Sequence, residues 1–99
     1  MTRVWLDDLR EAPSGWLWLT SSATAITWLE WAKMLDGRPE SFSFDHDLGG
    51  DDTSRRVVNW MCEHDFWPTE VFVHSANPVG RAYLIGTIER YAPPGTYKR

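Results

Sequence analysis

The chain has 99 residues, enough for one domain with a single modest core, and its sole cysteine, Cys62, rules out an intramolecular disulfide. With 14 acidic against 10 basic residues and a formal charge of −4, it lacks the basic stripe that a long nucleic-acid duplex requires, which leaves open a short RNA end or a small nucleotide. No apolar run approaches membrane-spanning length and MTRVWLDD has no signal-peptide core, so one cytoplasmic domain over residues 1–99 with no membrane partner is expected.

Val4–Leu6 reads as a short strand running into Asp7-Asp8. Arg10 to Gly15 is a turn, broken by Pro13, Ser14 and Gly15. Trp16–Leu19 alternates Trp and Leu and reads as a second buried strand. Ser21 or Ser22 then caps a helix on which Ala25, Trp28, Leu29, Ala32 and Leu35 recur at helical spacing, and Gly37 with Pro39 stops it. Ser41–Phe44 is a strand with Phe42 and Phe44 on one face and two small serines on the other. Leu48 to Asp52 is a loop, and Thr53 is a cap for a helix with Val57, Val58, Met61 and Cys62 on its inner side, ending before Pro68. Glu70–His74 is a fourth strand. Asn77-Pro78 is a strong helix start, with Leu84, Ile88 and Tyr91 forming the stripe that follows. Pro93-Pro94-Gly95 ends that helix, and residues 92–99 read as a mobile basic tail.

The order β-β-α-β-α-β-α implies a mostly parallel sheet. One link resists this reading. Between the first two strands there is no room for an ordinary helical crossover, so either it is a degenerate turn or the second strand runs differently. The chain also holds seven tryptophans. Large aromatics mostly serve cores and interfaces, and the sharper reading is that some of these rings stack on a base. Trp28, Trp31 and Trp60 lie on helices that are apolar on more than one face, which leaves room for a dimer surface.

The chemistry gathers where strands end. Asp7 and Asp8 follow VWL, Asp45-His46-Asp47 follows SFSF, and His74-Ser75-Ala76-Asn77-Pro78 follows EVFV. In an open α/β sheet, ligands bind outside the carboxyl ends of the strands. Converging carboxylates repel, by about 1 kcal/mol at ~4 Å in water and more in a cleft. A hard cation offsets this, and an all-oxygen set suits Mg²⁺ or Mn²⁺; the alternative is that the aspartates cap turns and face solvent. His46 and His74 can flank one ligand as general base and general acid, or serve as transition-metal ligands. The plainer reading of His74 is a buried ring bonded to backbone. Ser75, Asn77 and the helix start make an anion site, with Arg81 as a phosphate clamp or as a solvated surface charge. Gly49-Gly50 is a tight turn or a flexible edge of the site.

VWLDD, SFSFDHDLGG and VFVHSANPVGR together resemble the cyclic-phosphate processing receiver domains, over roughly Val4 to Ile88. The resemblance implies an α/β fold, a flavodoxin/receiver-like three-layer sandwich with a short, mostly parallel four-stranded sheet and about three helices. It implies that Asp7 and Asp8 are the metal-binding acidic pair, that Asp45 stands at the phospho-acceptor position, and that Ser75 stands at the Ser/Thr position. The residues this family adds match as His46, Asp47, His74, Asn77 and Arg81. No clear fifth strand carries the receiver's lysine; Lys33 and Lys98 are the only lysines. The resemblance also implies cyclic-phosphate processing in RNA repair or in nucleotide-based conflict systems, and a bacterial or phage setting.

Three functions follow as expectations. The first is a phosphoesterase acting on a cyclic phosphodiester, at a 2′,3′-cyclic phosphate RNA end or in a cyclic nucleotide signal. Asp7, Asp8 and Asp45 would hold the metal, and Ser75, Asn77 and Arg81 the phosphate oxygens. His46, His74, Asp45 and Asp47 would carry the catalysis. The second is a protein that sequesters a cyclic nucleotide without cleaving it, as in phage counter-defence. The third is a degenerate receiver used as a protein-interaction module.

Overall fold

Five short strands and three helices make up the computed structural model, which describes residues 1–98. The strands are β1 (Arg3–Leu6), β2 (Leu17–Leu19), β3 (Ser41–Phe44), β4 (Glu70–Val73) and β5 (Tyr97–Lys98). The helices are α1 (Ser22–Met34), α2 (Arg55–His64) and α3 (Pro78–Tyr91). Every strand pair is parallel, and the order across the sheet is β2-β1-β3-β4-β5. This is the receiver-like α/β fold that the sequence resemblance implies, with one strand more than expected. The addition lies in the predicted mobile tail, where Tyr97 and Lys98 pair with Glu70 and Val71. Arg99 is outside the described residues.

Pleating decides what each face carries. Registered across the sheet, Val4, Phe42 and Val71 share one face, as do Leu6, Leu19, Phe44 and Val73. All seven are buried in one core with Ala25 and Leu29 of α1, Val57, Val58 and Met61 of α2, and Leu84 and Ile88 of α3. The three helical crossovers step the same way across the sheet. Right-handed connection therefore places all three helices on this face. The β1–β2 step runs the other way, so its link crosses the opposite face, and this short link contains no helix. The degenerate-turn reading is the one that holds. The link still forms a thin third layer. Trp5 Nε1 donates to the Arg10 carbonyl (2.9 Å). Trp16 meets the edges of Trp5 and Phe72 at centroid distances of 6.0 and 6.3 Å.

The helix starts follow capping chemistry. Ser21 Oγ accepts the Thr24 N–H (3.1 Å), and Asn77 Oδ1 accepts those of Val79 and Gly80 (both 3.1 Å) ahead of Pro78 in the first turn. α2 is the exception: Ser54 rather than Thr53 precedes its first turn, Thr53 is bridged to Asp47, and the buried Ser54 hydroxyl makes no capping hydrogen bond. Asp52 accepts both the backbone N–H and the hydroxyl of Ser22, so this carboxylate is committed to the start of α1. Trp60 and Trp67 are buried, whereas Trp18 and Trp31 are exposed. Among the described residues no helix is long and apolar enough to cross a membrane.

Candidate functional site

The sheet order reverses between β1 and β3. Chain leaving β1 passes to one side and chain leaving β3 to the other, which opens a crevice at their carboxyl ends. Asp7 and Asp8 enter it from β1 and Asp45 from β3. Ligand oxygens of all three lie within 4.8 Å of one another. Asp7 is 2% exposed, and both its oxygens are hydrogen-bonded. Its Oδ1 accepts the N–H groups of Leu9 (2.9 Å) and Arg10 (2.8 Å), and its Oδ2 accepts from His74 Nε2 (3.0 Å). Burial alone would raise its pKa; the two N–H donors and His74 overcome this and hold it below the usual carboxylate value. Asp45 goes the other way. Burial and the neighbouring charge of Asp7 push its pKa up, against the His46 N–H, His74 and Ser75.

This donor set fits a hard divalent cation. Asp7 Oδ2 has spent one lone pair on His74 and keeps another, and a cation would relieve the repulsion that raises Asp45. Gly49 closes the cluster from the β3 side. Its φ is +90°, a backbone region that favours glycine, and a Cβ there would stand 3.0 Å from Asp8 Oδ2, so any other residue would press on that carboxylate.

His74 lies on the face opposite the helices. Its ring stacks on Trp5 at 3.8 Å and 8°. The stack spans two strands because the residue between them on β3 is the small Ser43, whose Oγ is 2.7 Å from His74 Nδ1. A carboxylate only accepts, so Nε2 carries the proton toward Asp7 and Nδ1 accepts from Ser43. Burial lowers the pKa of His74, against the pull of Asp7 and Asp45. The ring is a neutral donor that fixes Asp7.

His46 lies on the helix side, 4% exposed. Nδ1 is 2.8 Å from Asp47 Oδ1, and Nε2 accepts from Arg55 Nε (2.9 Å). Because the Arg55 donor keeps its proton, the Nδ1–H tautomer is the one held. The ring packs against Gly80, where a Cβ would collide with it. Arg55 in turn covers the Tyr83 ring at 4.2 Å. Asp47 also accepts from Asn77 Nδ2 (3.3 and 3.1 Å), and these bonds from His46 and Asn77 lower its pKa. The two histidines therefore serve separate networks on opposite faces, and do not flank one ligand.

The predicted phosphate trio is divided as well. Ser75 Oγ accepts the N–H of Asn77 (3.1 Å), and Ser75 opposes the rise in the Asp45 pKa. Asn77 spends its carbonyl on the first N–H groups of α3 and its amide on Asp47. Arg81 Nη1 donates to the Val73 carbonyl (2.7 Å), which faces the β5 side of β4 just beyond the last residue that β5 pairs. Sequence reasoning missed Arg10, whose Nη1 reaches the His74 carbonyl (3.3 Å) at the rim of the acidic cluster. It also missed Arg55, Trp5 and Ser43. Arg10 had one local signal: an Asp three residues ahead, placed to receive its N–H in an Asx-type turn.

The model of a family described as the cyclic-phosphate processing receiver domain matches residues 2–90. No curated protein and no solved structure matches the chain.

Proposed function

We infer the function from the premise that this chain belongs to the cyclic-phosphate processing receiver family, and propose a divalent-metal-assisted phosphoesterase acting on a cyclic phosphodiester. The family name gives cyclic-phosphate processing; the reaction and the substrate, a 2′,3′-cyclic phosphate RNA end or a cyclic nucleotide, are our reading. The observation that supports it is the meeting of Asp7, Asp8 and Asp45 at the sheet's switch point. These three residues would hold Mg²⁺ or Mn²⁺, which when bound supplies Lewis-acid polarisation of a phosphoryl oxygen. His74 keeps Asp7 ionised and oriented. Ser75, beside Asp45, and the exposed Arg10 at the rim would bind phosphate oxygens. Asp47, His46 and Asn77 fix the start of α3 beside them.

A second reading, sequestration without cleavage, has its own support. Both ring nitrogens of His46 and of His74 are already hydrogen-bonded within the protein, so neither histidine presents an open ring nitrogen to a ligand in this arrangement. One experiment separates the two. Cyclic dinucleotides, 2′,3′-cyclic mononucleotides and cyclic-phosphate-ended RNA are each incubated with the protein and Mg²⁺, Mn²⁺ or chelator, then chromatographed. A ring-opened product that disappears with Asp45→Asn is expected. Intact ligand released from the protein by heat would favour sequestration, and no binding of any of them would refute both.

A further inference from the structure

Trp18 is 40% exposed on the short edge strand β2, an unusual place to leave an indole open. It is nevertheless held in position. Its Nε1 donates to the carbonyl of Asp7 at 2.7 Å, so its only hydrogen-bonding group is tied to the backbone of the most buried carboxylate of the acidic cluster. Register sets its side. Trp18 pairs with Trp5, so both rings are on the face opposite the helices. Trp5 stacks on His74, and His74 bonds the Asp7 carboxylate on that same face. The indole thus flanks the acidic cluster on the side where the Asp7 carboxylate lies. The cluster itself suits a metal-bound phosphate and repels anything else anionic, whereas a base offers an uncharged π-face. A ring with its N–H already bonded offers only its faces and edges, and stacking is what those can do.

We propose that Trp18 is the nucleobase-stacking wall of this site, so that the ligand is a cyclic phosphate carrying a base next to the phosphorylated sugar and not a bare sugar or polyol phosphate. This rests on the phosphate-binding reading of the acidic cluster. A nucleotide joins base and phosphate through one sugar, so one ligand can present a base to the indole and its phosphate to the neighbouring cluster. A stack on an anchored indole accepts any base. Trp18 therefore selects for the presence of a base and not for its identity.

The test compares two probes, with Ca²⁺ present to slow turnover: adenosine 2′,3′-cyclic phosphate and methyl riboside 2,3-cyclic phosphate, which lacks the base. Dissociation constants are read by calorimetry on the full chain. Wild type is expected to favour the nucleoside probe by about 5- to 150-fold, the range found for one base–aromatic stack. Trp18→Ala should bring that ratio to about one, and Trp18→Phe, which keeps a ring face on the strand, should retain part of it. Trp31→Ala, at the other well-exposed tryptophan, should leave the ratio as in wild type. Circular dichroism of each variant guards against loss of the fold. Equal affinity of wild type for both probes, or a full preference in folded Trp18→Ala, overturns the stacking proposal while the phosphate reading stands. Failure of wild type to bind either probe overturns both.

Discussion

A single added methyl group at Gly80 should have the opposite effect to the same change six residues further along α3. A Cβ at Gly80 would overlap the His46 ring, whereas one at Gly86 would meet nothing within 4 Å. The ring has nowhere to go, because Asp47 and Arg55 hold its two nitrogens, and α3 is itself tied to Asp47 through Asn77. Overpacking costs about 1–3 kcal/mol. Giving up one charge-assisted bond of the ring costs about 1.5–3 kcal/mol, and the gain in helix propensity returns about 1 kcal/mol. A net loss of about 3 kcal/mol, or roughly 12–24 °C in Tm for a domain of this size, is expected for Gly80→Ala. Gly86→Ala should instead raise Tm by several degrees, since only the propensity changes. Calorimetric melting of both variants, repeated in a His46→Ala background, measures the coupling. In that background Gly80→Ala should cost almost nothing. Equal Tm changes at the two glycines, or an undiminished loss without His46, would refute the packing of His46 on α3.

Three further outcomes are expected. Burial and the charge of Asp7 disfavour ionised Asp45, so Asp45→Asn should raise the metal-free Tm at neutral pH by the equivalent of about 1 kcal/mol while removing any Mg²⁺-induced rise; a lowered metal-free Tm would contradict this. His74→Phe keeps a ring on Trp5 but leaves Asp7 Oδ2 and Ser43 Oγ unpaired, at a cost of about 1–3 kcal/mol in chemical denaturation. Burial holds the folded pKa of His74 below its ordinary ~6.5, against the pull of the facing Asp7 and Asp45 and alongside Arg10. The stability it contributes is therefore complete above about pH 6.5 and is lost as pH falls toward the folded pKa, where the unfolded chain takes up the proton first. His74→Phe should accordingly flatten the decline of Tm between pH 7 and 5, and an unchanged decline would count against the assignment. Lastly, long-range ¹H–¹⁵N spectra should show His46 protonated at Nδ1, with the Nε2 resonance displaced by Arg55→Lys; an Nε2–H tautomer in wild type would contradict the Arg55 contact.

The strand bodies were legible because Phe42 and Phe44 alternate with serines and because Val4–Leu6 is a short apolar run, and the site positions were legible because the first, third and fourth runs stop at an Asp or His. What the sequence hid was the side on which each histidine falls. In Glu70–Val73 three consecutive residues are apolar, so alternation does not say which face is inward and His74 cannot be assigned to a face. Thr53 reads as a cap by residue type, but the Asp47–Thr53 bridge moves the helix start one residue on, to Ser54, whose side chain makes no cap bond. Two residues, Tyr97 and Lys98, are too few to show a strand period, which is why β5 read as tail. Arg55 and Ser43 find their histidines across loops and strands, contacts that leave no local trace in the sequence. The seven tryptophans do divide between uses: Trp60 and Trp67 fill the core, and Trp5 orients a histidine.

The account depends most on the three carboxylates forming one cation site. Electron paramagnetic resonance of free Mn²⁺, titrated with wild type, Asp8→Asn and Asp45→Asn, tests this without any assumption about substrate. Saturable binding of one Mn²⁺ per wild-type chain, weakened at least tenfold in either variant and displaced by Mg²⁺, is the predicted result. Mn²⁺ binding that persists at wild-type affinity in both variants, or none in wild type at millimolar metal, would contradict it.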